Sequence, residues 1–421
     1  MEHHETLPRS DDSACSPTAP TLEDKVHFLS HPATHSCAPN QMLTRETHMS
    51  WVFMAGQRVY KLKKPVRFSF LDFSTLDRRE AACRAEFLLN RRLAPYVYLD
   101  VVPLTVSTSG LAIHGEGSVV DWLVVMRRLD EKQTLEAALA GTWLKASHVD
   151  RVASTLCSFY AHAPRVQLDP ERYVFEWQRA IADNTRVLLN SRFSLPQGCM
   201  ERITQVQRRF ITKRSNLLRE RIRERWYVDA HGDLRPEHIW LSAPLTIIDC
   251  LEFDAKLRAL DPLDEIAFLH LECERLGGAW AGERIRRHLA SALNEDTAGG
   301  LFLFYRSYRA ILRARLSIAH LLDPKPLTPE KWPRHARLYL KLAASWPASP
   351  TACSCQEPKR RWPIRPSTAS SRRTPCRHSA FALAPCATSS KSYQPHHCWR
   401  RQSVGFTRTS RSATSLCFET I

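Results

Sequence analysis

The chain has 421 residues, of which 43% are hydrophobic and 24% charged, so a fibrous or wholly disordered protein is excluded. The formal net charge is +17, but residues 351–421 hold 12 Lys and Arg against 2 Asp and Glu, so most of the excess lies in that segment. Nucleic-acid binding is therefore not expected for the body of the chain. No apolar run approaches the roughly 18 residues that span a membrane, so no membrane partner is expected. The sequence predicts a cytoplasmic protein.

The first part of the chain alternates between strand and helix patterns. Residues 1–20 are polar and rich in Pro, Ser and Thr, which predicts disorder. Thr21 is a candidate N-cap for a short helix that ends near Ser30. The patterns that follow predict strands at 49–54, 59–64, 98–103, 104–108 and 119–126, and a helix at 75–93.

Beyond residue 129 the apolar positions are mostly three or four residues apart, which is typical of helices. The predicted helices cover residues 134–163, 170–190, 198–226, 263–321 with a break near 295–300, and 329–344. The arginines within residues 208–225 are interpreted as a solvated helix face. The sequence thus predicts an α+β fold class: a small sheet-plus-helix lobe over residues 21–128 and a larger, mainly helical lobe over residues 129–346.

The last segment, residues 347–421, differs in composition from the rest. It is rich in Ser, Thr, Arg and Cys and shows no sustained period, which predicts a disordered basic tail. Two origins are open. The tail is either authentic and binds an acidic partner, or it is the frameshifted remnant of a P-loop domain.

The strongest chemical signal is a polar loop followed by a short strand. Residues 231–239 read HGDLRPEHI, and residues 247–249 read IID. Two carboxylates on adjoining loops, Asp233 and Asp249, suit phosphoryl transfer. One can accept a hydroxyl proton while the other holds a Mg²⁺ ion that bridges the phosphates of ATP. Upstream, Lys61 lies on a strand from which it can pair with phosphates, and either Glu80 or Glu86 can hold it in place.

Several segments, in order, resemble the aminoglycoside phosphotransferase and choline kinase superfamily. Within it they resemble a bacterial branch that is usually fused to a P-loop ATP-binding domain. The matching segments are 46–53 (ETHMSWVF), 59–66 (VYKLKKPV), 70–76 (FLDFSTL), 89–95 (LNRRLAP), 98–103 (YLDVVP), 231–239 and 261–269 (DPLDEIAFL). The resemblance spans about residues 22–345 and implies a bilobal, protein-kinase-like fold.

The resemblance also implies roles for single residues. Asp233 would be the catalytic base and Asp249 a metal ligand. Lys61 would bind the ATP phosphates, although Lys63 shares its side of the strand and stays an alternative. Glu86 matches the partner of this lysine better than Glu80 does.

Further roles follow from the same resemblance. Arg128 and Leu129 would belong to the hinge against which adenine stacks. His238 stands where the superfamily has a metal-binding Asn, and it is either a second metal ligand or a residue that stabilises the loop. His231 and Asp264 would support the catalytic loop from behind.

These residues predict an ATP- and Mg²⁺-dependent phosphotransferase that acts on a hydroxyl of a small-molecule acceptor. One alternative is an ATP-binding regulatory, pseudokinase-like module with little turnover, since His238 replaces Asn and no Gly-rich phosphate loop is evident. Another is nucleic-acid binding through the basic tail.

Overall fold

The computed structural model describes residues 19–68, 71–141, 143–293, 300–322 and 328–345. The predictions for residues 1–18 and for the tail from 347 onward lie outside the described residues, as does most of the predicted break near 295–300. The predicted α+β class, with a sheet-containing lobe and a larger helical lobe, is confirmed. Among the described residues, no helix combines the length and apolar character that crossing a membrane requires.

The first lobe is built on a six-stranded antiparallel sheet in the order β1-β2-β3-β6-β4-β5. Its strands are β1 (Met42–Glu46), β2 (Ser50–Ala55), β3 (Arg58–Lys63), β4 (Tyr98–Ser107), β5 (Gly110–Ile113) and β6 (Ser118–Arg127). Two helices pack on it, α1 (Leu22–Ser30) and α2 (Leu76–Asn90). The predicted strands at 98–103 and 104–108 are one continuous strand. The edge strands β1 and β5 were not predicted, because their side chains are mostly half-buried or exposed and lack an apolar alternation.

The second lobe is mainly helical. Its longer helices are α3 (Leu135–Ala140), α4 (Ala146–His162), α5 (Pro170–Leu188), α6 (Gln197–Arg223), α7 (Pro262–Arg275), α8 (Ala279–Leu293), α9 (Gly300–Ala319) and α10 (Lys331–Ala344). The predicted helix at 134–163 is wrong in one respect, because α3 ends at Ala140, with Gly141 as its C-cap, and α4 is a separate helix. A break between α7 and α8, where Gly277 has a φ of +82°, was also missed.

One buried charge cluster fixes both helices of the first lobe to the sheet. Asp121 on β6 is 1% exposed, and its two carboxylate oxygens bind different cations. Lys25 of α1 approaches Oδ2 at 2.9 Å and Arg79 of α2 approaches Oδ1 at 2.7 Å. The sequence had indicated only a short helix capped by Thr21, so this ion triad was not foreseen.

Arg221 corrects the interpretation of the α6 arginines as a uniformly solvated face. Its guanidinium is buried and binds Asp261 at 2.5 and 2.9 Å, whereas Arg208, Arg209 and Arg223 are exposed. Asp261 also caps α7, so this ion pair attaches α6 to the start of α7.

The triad yields a stability prediction. Asp121→Asn leaves two buried cations without their counter-ion and should lower the free energy of unfolding by about 3–5 kcal/mol in urea denaturation. The matched control is Glu131→Gln, which removes an exposed ion pair to Arg45 and should cost less than about 1 kcal/mol. Equal losses for both variants would show that the buried triad does not hold the lobe together.

Candidate active site

A fully buried carboxylate on α2 receives two lysines from β3. Glu86 is 1% exposed, and its Oε1 lies 2.9 Å from Lys61 Nζ while its Oε2 lies 2.7 Å from Lys63 Nζ. The two lysines share one face of the strand because they are two residues apart. Glu80, the alternative partner, instead pairs with Arg84 on the outer side of α2. The structure therefore brings Glu86, and not Glu80, to both lysines.

The two lysines differ in what else they reach. Lys61 lines the cleft between the lobes and approaches Asp249 Oδ1 at 3.4 Å. Lys63 is 1% exposed, lies behind the cleft and binds Glu252 at 2.5 Å. Only Lys61 is thus placed to meet a ligand, while Lys63 joins β3 to the segment that follows Asp249.

The charges in this cluster stabilise one another. Burial alone would lower the pKa of Lys61, but Glu86 and Asp249 outweigh it and hold the pKa well above its usual value. Burial would likewise raise the pKa of Glu86, yet the two lysines hold it below its usual value. The side chains of Lys61 and Glu86 are therefore both ionised at neutral pH.

Asp249 stands at the end of a short strand and faces the cleft. It follows Thr246–Ile247, has a φ of +65°, and donates its backbone N–H to the Tyr98 hydroxyl at 3.4 Å. A positive φ is uncommon for a residue other than glycine. Its side chain is 48% exposed. Burial would raise its pKa, but Lys61, His238 and Arg235 outweigh that effect and keep it well below the usual range.

The loop that carries Asp233 is fixed by buried hydrogen bonds. His231 is fully buried and donates its Nε2–H to the Ile248 carbonyl at 2.9 Å, while its Nδ1 accepts the Asp233 N–H at 3.3 Å. Burial lowers the pKa of His231 to about 3, so the ring is neutral and supports the loop. Gly232 has a φ of +90°, and a Cβ there would lie 2.9 Å from Leu251, so the turn requires glycine.

The anchor behind this loop is Glu265, which corrects the prediction of Asp264. Glu265 accepts the backbone N–H groups of Gly232 at 2.5 Å and His231 at 3.2 Å. Asp264 instead binds Arg309 through both carboxylate oxygens, at 2.7 and 2.8 Å. Adjacent helix residues point about 100° apart, so an error of one residue moves a side chain to another neighbour.

Asp233 is buried with one oxygen available. It is 2% exposed, and Oδ2 lies 3.0 Å from Arg235 Nη2. Among the described residues, no group bonds Oδ1. Burial raises the pKa of Asp233 despite the nearby Arg235. A buried acceptor without a partner costs free energy, and a hydroxyl donor from a ligand would remove that cost.

His238 links the two aspartates. Its Nδ1 lies 2.9 Å from the Asp233 carbonyl oxygen, which only accepts, so Nδ1 carries the hydrogen. Its Nε2 lies 3.5 Å from Asp249 Oδ2 and 3.2 Å from Arg235 Nη2. Ligand atoms of Asp233, His238 and Asp249 all fall within 4.8 Å of one another. Two carboxylates and an imidazole at this spacing fit a divalent cation.

The cleft between the lobes has a volume of about 550 Å³. Lys61, Asp233 and Asp249 lie in its wall, and so do Arg128 and Leu129, which follow β6. The Arg128 backbone N–H binds the Gln57 carbonyl, and its guanidinium is turned toward the Gly56 carbonyl at 3.4 Å. The sequence-predicted lysine, aspartates and hinge therefore meet in one cavity.

Two residues of this region had no role in the sequence analysis. Arg235 pairs with Asp233 and with Glu237 at 2.8 Å, and it lines the cleft. Glu252 completes the Lys63 contact. Arg235 lies inside the HGDLRPEHI segment, two residues after the aspartate, and that proximity was the available signal.

Comparison with solved structures finds proteins whose names are those of kinases, all at low sequence identity. The chain is similar to choline kinases and aminoglycoside phosphotransferases. A choline/ethanolamine kinase family protein from Mesorhizobium loti has 14% identity and a TM-score of 0.46, covering 76% of this chain and 95% of that one. A choline kinase from Cryptosporidium parvum has 11% identity and a TM-score of 0.43, covering 77% and 94%. An aminoglycoside 2'-phosphotransferase-IIIa, solved with GDP, has 14% identity and a TM-score of 0.41, covering 72% and 92%.

Sequence comparison finds mycobacterial relatives. Uncharacterized proteins from Mycobacterium tuberculosis and Mycobacterium bovis are 34% identical over 285 residues, which is 67% of this chain and 56% of theirs. The chain therefore spans little more than half the length of these relatives. No family model matches the chain. The names of these solved structures are those of the superfamily that the motifs resemble. None of these comparisons supports the statement that the resembled branch is usually fused to a P-loop domain.

The two lysines can be separated by experiment. Lys63→Met leaves Glu252 without its buried counter-ion and should lower the free energy of unfolding by about 3–5 kcal/mol. Lys61→Met should cost less, because Glu86 keeps Lys63 and the Lys61 side chain is 18% exposed. Urea denaturation of the two variants without nucleotide measures the difference. A larger loss of unfolding free energy for Lys61→Met would contradict the assignment of Lys63 as the structural lysine and Lys61 as the one that faces the ligand.

Proposed function

We propose that the chain is an ATP-dependent phosphotransferase that moves the γ-phosphoryl group to a hydroxyl of a small molecule. The observation that carries this proposal is the grouping of Lys61, Asp249 and Asp233 around one cleft, with Lys61 held by the buried Glu86. A fixed lysine, a strongly acidic aspartate and a buried aspartate with an open oxygen are the parts that phosphoryl transfer uses.

The nucleotide would lie along the cleft. The adenine would pack near Arg128 and Leu129, and the phosphates would extend toward Lys61. Lys61 now contacts both Glu86 and Asp249, so it can exchange the Asp249 contact for phosphate oxygens without losing Glu86. The cleft would thereby orient the γ-phosphate toward Asp233.

A divalent cation would be held by Asp249 and His238. When bound, such a cation neutralises phosphate charge during transfer. The low pKa of Asp249 keeps its carboxylate ionised and ready to bind a cation. His238 is oriented for the same purpose, since its Nδ1–H is fixed on the Asp233 carbonyl and its Nε2 faces Asp249.

Asp233 would receive the proton of the acceptor hydroxyl through its open Oδ1. The hydroxyl oxygen forms a bond to the γ-phosphorus while the bond from this phosphorus to the β–γ bridging oxygen breaks, and ADP leaves with that oxygen. The opposite pKa shifts of Asp233 and Asp249 suit these two tasks, since a base benefits from a raised pKa and a cation ligand from a lowered one. Arg235, which faces the same cleft, would offset the charge of the transferring group.

An ATP-binding regulatory module is the second candidate. The contact between Arg235 and His238 Nε2 favours it, because a bound cation would have to displace this guanidinium. A module of that kind would bind ATP and leave it intact. Turnover of ATP by the wild-type chain separates the two candidates.

The first variant tests cation binding. Asp249→Asn should abolish the Mg²⁺-dependent thermal stabilisation by ATP, which for the wild-type chain is about 2.7 kcal/mol at a nucleotide concentration of 100 Kd. The control Asp183→Asn changes a surface carboxylate of α5 that pairs with Arg186. An unchanged ATP-induced shift in Asp249→Asn would exclude the cation role.

The second variant tests the base. Asp233→Asn should keep ATP affinity within about threefold while ATP hydrolysis or phosphoryl transfer falls by about 100-fold or more. Isothermal titration gives the affinity and release of ADP gives the turnover. Equal loss of affinity and turnover would mean that Asp233 supports the loop. ATP binding by a wild-type chain without any turnover would favour the regulatory module.

A further inference from the structure

A second cavity, of about 190 Å³, lies in the helical lobe beside the loop that carries Asp233. Helices α5 and α9 and the segment 256–260 form most of its wall. Gly232 lines this cavity, and Asp233, the next residue, lines the cleft. Leu251 lines both. The second cavity therefore adjoins the cleft at Gly232 and Leu251, one residue from the proposed base.

The wall of this cavity is mainly apolar and aromatic. Leucines from the segment 256–260 and from α9 face Tyr173, Trp177 and Phe268 across it. A cavity of about 150 Å³ is known to hold benzene in another protein, so this one has room for a single substituted ring. Its occupant would carry a compact apolar body.

The acidic groups of the wall already have cationic partners. Asp264 accepts two hydrogen bonds from Arg309, and Glu176 is 3.0 Å from Arg172. A cationic ligand would have to compete with these arginines for each carboxylate. The wall therefore offers little attraction to an ammonium group.

The aromatic faces are occupied as well. The guanidinium groups of Arg309 and Arg313 lie 5.5 and 5.9 Å from the centre of the Phe268 ring. Trp177 packs edge-to-face against Tyr308 and Tyr173, with ring centres 4.4 and 6.1 Å apart. An aromatic cage for a quaternary ammonium needs open ring faces, which these contacts cover.

One cation of the wall has no counter-ion among the described residues. Lys256 is an exposed residue of the short helix Ala255–Arg258, and no carboxylate of the described part of the chain pairs with its amine. Arg309 and Arg313 also line the cavity, but each is paired with a carboxylate, Arg309 with Asp264 and Arg313 with Glu272. Among the described residues of the wall, the Lys256 ammonium is thus the positive charge that is left to attract an anionic group.

We propose that this cavity is the acceptor subsite and that it takes a neutral or anionic hydroxyl compound with an apolar body about the size of one ring. The assignment as an acceptor subsite rests on the proposed phosphotransferase function, but binding of such a compound to the cavity can be measured without ATP. The amino sugars and quaternary ammonium compounds for which the similar structures are named would be disfavoured by the same wall.

The test uses three compounds that share a ring and a hydroxymethyl group and differ in the para substituent, which is anionic, absent or cationic. They are 4-(hydroxymethyl)benzoate, benzyl alcohol and 4-(aminomethyl)benzyl alcohol. Isothermal titration of the full chain without nucleotide should give the tightest binding for the benzoate and the weakest for the amine. Lys256→Glu should weaken benzoate binding relative to benzyl alcohol by about threefold to fivefold, the size of one exposed ion pair.

Two further variants make the result specific. Lys213→Glu changes an exposed lysine of α6 outside the wall and should leave the order of affinities unchanged. Ala180→Phe fills the cavity from α5 and should abolish binding of all three compounds while ATP binding persists. Equal or tighter binding of the amine, absence of saturable binding by the other two compounds, or binding that survives Ala180→Phe would overturn the proposal. If the wild-type chain shows no ATP turnover, the phosphotransferase function is refuted instead.

Discussion

The buried carboxylate of Glu86 is the constraint on which the site depends. A charge at this depth is tolerated only when it is paired, and here one carboxylate satisfies two lysines on the same strand. Lys63 also pairs with Glu252, and Lys61 also pairs with Asp249. Both carboxylates belong to the segment that follows the polar loop. One side chain of α2 thereby couples the sheet of the first lobe to the segment of the second that carries Asp249 and Glu252.

The division of labour between the two lysines follows from burial. Lys63 is sealed between two carboxylates and can serve only as a structural link, whereas Lys61 is partly exposed in the cleft. On the other side of the cleft, the surroundings raise the pKa of Asp233 and lower the pKa of Asp249. Burial dominates at Asp233, while positive charge dominates at Asp249. The cleft therefore holds one carboxylate suited to proton transfer and one suited to a cation.

Sequence reasoning reached the parts of this arrangement that are encoded locally. The alternation along β3 indicated which lysines share a face, and the HGDLRPEHI segment placed Asp233 and His238 on one loop. Contacts over long sequence distances were not readable. Nothing in the sequence around Lys25 indicated its contact with Asp121, which lies 96 positions away. The resemblance implied Asp264 behind the loop, but the neighbouring Glu265 holds it, because the packing decides which of two adjacent helix residues faces the loop.

The central claim is that Lys61, Asp249 and Asp233 form one phosphate-handling site. A crystal structure of the chain with Mg²⁺ and a non-hydrolysable ATP analogue tests it most directly. The account predicts that Lys61 leaves Asp249 for phosphate oxygens while keeping Glu86, that Asp249 binds the cation, and that the γ-phosphate faces Asp233. An analogue bound outside this cleft, or Lys61 still paired with Asp249 and distant from the phosphates, would contradict it.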